Sequence, residues 1–175
     1  MSRILQAEGV ADIVNLTQYP IGRVNDSFAI CHHGGWYECD LETHALCART
    51  LKPDDRRAMF NFIECSFGNL NVNDADNTRI CAQKIGLNYT DLWQCAIGRS
   101  PRASGPRMLL SSIAEATSRG VHSAPTIFLN GEQVGHSLTL EQVCEAYTGP
   151  KPAGCSGTKA RSAKPISQPE QRCPA

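Results

Sequence analysis

The stretch Ala124-Pro125-Thr126-Ile127-Phe128-Leu129-Asn130-Gly131-Glu132-Gln133-Val134 decides how the chain is read. A short apolar run is entered through a proline and ends at Asn130-Gly131, a strong two-residue hairpin turn because both positions tolerate positive φ. Gln133-Val134 then starts a return strand. Beyond it, Thr139-Leu140-Glu141-Gln142 is a capping box, and Leu140, Val143 and Tyr147 give the next helix an apolar stripe. Upstream, from Asp40 to about Gly120, the spacing is helical. Pro53-Asp54-Asp55 reads as a helix start, with two carboxylates beside the positive end of the dipole. Ala58/Met59 and Phe62/Ile63 follow at helical spacing; Ile80, Cys81 and Ile85 form a second stripe that stops at Gly86. Thr90 can cap a helix running to Gly98, and Leu109, Ile113 and Ala116 mark another, stopped by Gly120. Ala11 to Tyr19 alternates apolar and polar residues and closes at Pro20-Ile21-Gly22, which predicts a strand. The expectation is an α/β chain.

Proline, strand, hairpin and helix in that order is how the second half of a thioredoxin-like domain reads. On the local residues alone Pro125 reads more readily as an ordinary proline at a strand start, since few X–Pro bonds are cis. The predicted layout is a domain over residues 1–149 with a helical insertion at about 40–120. A Pro/Ser-rich tail follows over 150–175, where five of the ten prolines fall.

Length and charge remove several function classes. One ordinary domain fits in 175 residues, and 17 basic against 17 acidic side chains leave a net charge of zero with no basic block. That argues against nucleic acid or an anionic membrane as partner. No apolar run reaches the length of a membrane span, and the opening Met1-Ser2-Arg3 lacks a secretory leader. Nine cysteines, by contrast, point to an oxidising compartment.

The densest chemistry is Cys31-His32-His33-Gly34-Gly35-Trp36-Tyr37-Glu38-Cys39-Asp40-Leu41-Glu42-Thr43-His44-Ala45-Leu46-Cys47. Zinc prefers paired ligands two to four residues apart, whereas these cysteines are seven residues apart twice and the chain has no C-x-x-C. A nucleophilic cysteine beside His32 or His33 has no other support. The favoured reading is a disulfide framework drawn from Cys31, Cys39, Cys47, Cys65, Cys81, Cys95, Cys144, Cys155 and Cys173, with its pairing open and with no metal or cofactor. Glycosylation sequons at Asn15, Asn25 and Asn88 agree with the secretory pathway. His32, His33 and His44 read as surface or hydrogen-bonding residues, and Trp93, Phe60 and Phe62 as core.

This cluster resembles the signature of the gamma-interferon-inducible lysosomal thiol reductase (GILT) family, C-Q-H-G-x2-E-C-x2-N-x4-C. Cys31, His33, Gly34, Glu38, Cys39 and Cys47 fall on it. His32 replaces Gln, Glu42 replaces Asn, and one extra residue separates Gly34 from Glu38. Asn15-Leu16-Thr17 with Tyr19-Pro20-Ile21-Gly22 looks like the family's glycosylated strand. Cys65, Cys81 and Cys95 fall in its helical insert, and Ala124-Pro125 through Tyr147 look like its cis-proline hairpin and last helix. Lys151-Pro152-Ala153-Gly154-Cys155 also has a counterpart, so the resemblance covers roughly residues 4–156.

The resemblance implies a thioredoxin-like fold with a cysteine-rich helical insertion, and a thiol–disulfide oxidoreductase acting on disulfide-containing proteins. It also implies a lysosomal, endosomal or extracellular setting and a monomer. The chemistry needs a C-x-x-C at a helix N-terminus, where the dipole favours the thiolate that attacks the substrate sulfur. Ala124 and Pro125 would lie against that pair. In the family the pair precedes the strand expected at Ala11–Tyr19, and here only ten residues precede it, none of them cysteine. The first strand of the sheet would be missing with it. One event, a truncated gene model or fragment, is the simplest account of the missing leader, pair and strand. The other reading is a secreted or lumenal binding module that kept the fold and lost the chemistry. Under either one, no catalytic residue is identified in this chain.

Overall fold

The computed structural model describes residues 2–33, 35–55, 57–68, 74–101 and 103–157. Two single-turn helices come first, α1 (Ser2–Leu5) and α2 (Val10–Ile13). The expected strand at Ala11–Tyr19 is a correction: its start is α2, Val14 leaves that helix extended (φ −102°, ψ 125°), and residues 14–21 lie outside any helix or sheet. Alternation favours a pleated ribbon only when a neighbouring edge accepts its hydrogen bonds, and among the described residues no strand pairs with this one. Pairing begins at β1 (Gly22–Asn25) and β2 (Phe28–Cys31), joined antiparallel from Gly22↔Cys31 to Asn25↔Phe28 around a turn with Asp26 at φ 52°.

Five helices follow: α3 (Trp36–Leu51), α4 (Ala58–Gly68), α5 (Asp74–Lys84), α6 (Tyr89–Ala96) and α7 (Gly105–Ser118). The helical region therefore opens at Trp36, ahead of the expected Asp40. Pro53 and Asp54 form a turn before α4 rather than its first turn, and Asp55 Oδ1 accepts from the Arg57 N–H at 3.0 Å. The cap of α6 is Asn88, not Thr90: its Oδ1 accepts from the backbone N–H of Thr90 at 2.8 Å and of Asp91 at 3.3 Å. Gly86, Gly98 and Gly120 sit just past α5, α6 and α7, as read.

These helices and the first hairpin enclose the main core, in which Ala45, Cys47, Phe62, Cys81, Leu92 and Ile113 are fully buried. Phe60 is half-buried beside the buried Phe62, and Trp93, expected inside, is 42% exposed on α6. Gly105 lets α7 start against the end of α6, where a Cβ would come within 2.9 Å of Ala96 Cα and the Cys95 carbonyl.

A second hairpin pairs β3 (Ile127–Leu129) with β4 (Glu132–Gly135), with Asn130 and Gly131 at φ 51° and 88° and an irregularity between Ile127 and Phe128. The Ala124–Pro125 peptide is cis. Helix α8 (Leu140–Ala146) carries the predicted capping box in full, Thr139 with Gln142. A 3₁₀ turn (Ala153–Cys155) packs with α8, α1 and α2 into a smaller cluster of Ile4, Val10, Val143, Cys144 and Cys155. There the Gly154 N–H donates to the Glu8 carbonyl at 2.8 Å. The segment expected as tail thus joins this cluster as far as Cys155, while residues 158–175, Cys173 among them, lie outside the described residues. The fold is mixed α/β, with two separate two-stranded sheets among the described residues.

Candidate functional site

Strand β2 ends on Cys31 and α3 begins five residues later, so the loop between them must turn tightly. The disulfide Cys31–Cys39, with Cα atoms 5.5 Å apart, closes it. Glu38 turns back across the loop: Oε2 accepts from the His33 backbone N–H at 2.8 Å and Oε1 from His33 Nδ1 at 2.9 Å. The His33 side chain is otherwise solvent-facing, with the His32 ring edge-on at 4.9 Å. Gly34 lies outside the described residues.

The remaining cysteines divide the work of holding the helices. Cys47 on α3 bonds to Cys95 on α6, Cys65 on α4 to Cys81 on α5, and Cys144 on α8 to Cys155. Cys39 is half-buried and the other seven of these eight are buried. With Cys31, Cys39 and Cys47 all oxidised, they offer no thiolate set to a metal. Among the described residues there is no group of three or more His, Cys, Asp or Glu side chains placed to hold one.

One turn into α3 the helix lines a cleft against α4. Tyr37, Glu38, Leu41 and Glu42 face Phe62, Ile63, Ser66 and Phe67 around a cavity of about 170 Å³. Burial pushes the Glu42 carboxyl up to about 7, with the negative charge of Glu38 adding to it, and Oε2 is buried without a hydrogen-bond partner. In the sequence Glu42 registered only as a departure from the family motif. The available signal was its spacing from Glu38, since residues four apart share a helix face. His44, on the same helix, donates from Nδ1 to the Asp40 carbonyl at 2.9 Å and stacks on Phe62, with its Nε2 buried and unpartnered.

The proline hairpin is a separate locus. Ala124 and Pro125 are exposed, and the loop is held by its own bonds. His136 Nδ1 donates to the Pro125 carbonyl at 2.5 Å, and Thr126 Oγ1 to the Ser123 carbonyl at 2.6 Å. Asn130 Nδ2 donates to the Ala146 carbonyl at 3.1 Å, tying the turn to α8. Among the described residues neither a disulfide nor a shared hydrophobic cluster brings this hairpin to the Cys31–Cys47 segment. The sequon residues Asn15, Asn25 and Asn88 are all exposed.

The family model described as gamma interferon inducible lysosomal thiol reductase (GILT) matches residues 1–85, a span that contains the whole Cys31–Cys47 segment. No curated protein and no solved structure gives a significant match. Over residues 1–85, just under half of its length, the chain is thus similar to the gamma interferon inducible lysosomal thiol reductase family and carries the signature cysteines Cys31, Cys39 and Cys47 inside that span.

Proposed function

We propose that the chain serves a thiol–disulfide oxidoreductase of the GILT type, reducing protein disulfides in an acidic endosomal, lysosomal or extracellular setting. The observation that carries this reading is the family match across the Cys31–Cys47 segment. In that reading the cis Ala124–Pro125 loop, the β3–β4 hairpin and α8 form the second half of a thioredoxin-like domain, and α3 to α7 form its helical insertion. The exposed backbone at Ala124 and Pro125 receives an extended substrate chain. The Cys31–Cys39, Cys47–Cys95 and Cys65–Cys81 disulfides act as braces for the insertion. Sugars on the exposed Asn15, Asn25 and Asn88 suit a lumenal protein.

The reaction itself needs a thiolate to attack a substrate sulfur and a second thiol to resolve the mixed disulfide. The nine cysteines include no C-x-x-C, and eight of them are spent in disulfides. These 175 residues therefore hold and present a substrate without supplying the redox pair. That same observation favours a second reading, a binding module of the family without redox chemistry. Insulin-disulfide reduction at pH 5 separates the two when this chain is compared with the product of the full transcript. This chain is expected to give no rate above the small-thiol background. Reduction by the transcript product, through a C-x-x-C it encodes, supports the reductase; an inactive transcript product leaves the binding module.

A further inference from the structure

We propose that the cleft between α3 and α4 binds a small organic ammonium ion, its charge on the Glu42 carboxylate and its hydrocarbon body against Leu41 and Phe62. No thiol takes part, so this site stands or falls apart from the reductase reading.

The polar groups around the cleft leave one vacancy. Both oxygens of Glu38 are engaged by His33. Ser66 Oγ donates to the Phe62 carbonyl at 2.9 Å, and the Tyr37 hydroxyl accepts from Asn77 Nδ2 at 3.3 Å. Among the described residues lining the cleft, Glu42 Oε2 alone remains buried without a donor. A buried carboxylate without a donor is unfavourable, so a ligand that brings a charge-assisted hydrogen bond there gains more than one that does not. The rest of the wall selects among cations. Leu41, Phe62, Ile63 and Phe67 are apolar, and a hard metal ion that keeps its waters finds nothing to replace them. An ammonium with an apolar body satisfies both halves. The volume of about 170 Å³ suits one ring, since an apolar cavity of about 150 Å³ takes benzene.

Among the described residues, the titratable groups facing the cleft are His33, Tyr37, Glu38 and Glu42, all from α3 and the loop before it, and α4 contributes none to the wall. Binding an ammonium displaces the Glu42 proton. Affinity therefore rises with pH. With the Glu42 carboxyl at about 7, its ionised fraction grows roughly 20-fold between about pH 5.5 and 7.5.

Isothermal titration of the 175-residue chain with 2-phenylethylammonium and with its neutral analogue 2-phenylethanol tests this. The ammonium is expected to bind at least about tenfold more tightly than the alcohol at neutral pH. It is expected to weaken toward pH 5.5 and to release close to one proton at pH 6, read from buffers of different ionisation heat. Glu42→Gln is expected to abolish the preference with the circular dichroism unchanged. Equal binding of the two probes, binding of neither, no proton release, or an unaltered preference in Glu42→Gln overturns the proposal. The proton count and the alcohol comparison decide it on the unaltered chain should the variant not fold.

Discussion

The helical body and the terminal cluster, formed by residues 4–14 and 138–155, are stabilised in different ways. The body buries a large apolar set from five helices of 8 to 16 residues and a hairpin, and three disulfides run through it. Its longest bridge, Cys47–Cys95, spans 48 residues and joins two helices that already pack together. The terminal cluster has two four-residue helices, one seven-residue helix and a 3₁₀ turn. None is long enough to hold itself, because helix nucleation is unfavourable and few residues remain to repay it. It relies on the Cys144–Cys155 bridge, the Gly154-to-Glu8 hydrogen bond and a handful of buried side chains. In the body the bridges reinforce packing, whereas in the terminal cluster a bridge substitutes for it.

Removing bridges tests that contrast directly. Closing a 48-residue loop contributes about 4 kcal/mol through the entropy of the unfolded chain. Cys47→Ala with Cys95→Ala is accordingly expected to lower denaturant stability by about that amount while the packed body still folds. The 11-residue separation of Cys144 and Cys155 corresponds to about 3 kcal/mol. Replacing both by alanine is expected to remove hydrogen-exchange protection from α8 and the residues around Val10 and leave α3 and α6 protected. Loss of protection throughout the body in that variant would mean that the two regions fold as one unit.

Glu42 gives the body a built-in instability at neutral pH. Its folded-state carboxyl is raised from 4.5 to about 7, so the folded chain holds this proton more tightly than the unfolded chain. Stability from this group is intact below about 4.5 and is lost as pH rises through about 7. Glu42→Gln is expected to be more stable than the parent at pH 8 by about 3 kcal/mol and indistinguishable from it at pH 4. Urea denaturation at the two pH values reads this. An equal effect at both would remove the buried carboxyl as its cause. The smallest change is at the edge of the terminal cluster, where Thr139→Ala removes the side-chain oxygen that accepts from the Gln142 N–H. It is expected to cost about 1 kcal/mol, visible as a fall in the thermal midpoint, with the body's own protection unchanged.

Features coded within a few consecutive residues were legible from the residues alone. The Asn130-Gly131 turn, the Thr139/Gln142 capping box and the glycines after α5, α6 and α7 all fall where the reading put them. The family resemblance was legible too, because the order of Cys31, His33, Glu38, Cys39 and Cys47 survives one insertion and two substitutions. Readings that depended on a distant partner fared worse. Ala11–Tyr19 has the alternation of a strand but no edge to pair with among the described residues. Trp93 has the composition of a core residue and lies half in solvent, because α6 buries Leu92 and Cys95 instead.

Local conformation in this chain thus follows from short-range rules, since a cap, a turn or a helix stop involves groups only two to four residues apart. The cysteine pairing had to wait for the folded chain. Nine cysteines permit many connectivities, and only the packing of α3 on α6 and of α4 on α5 brings Cys47 to Cys95 and Cys65 to Cys81. The Glu42 cleft is of the same kind. Spacing puts Glu38 and Glu42 on one face of α3, but it is α4 laid across that face that excludes water and raises the Glu42 carboxyl.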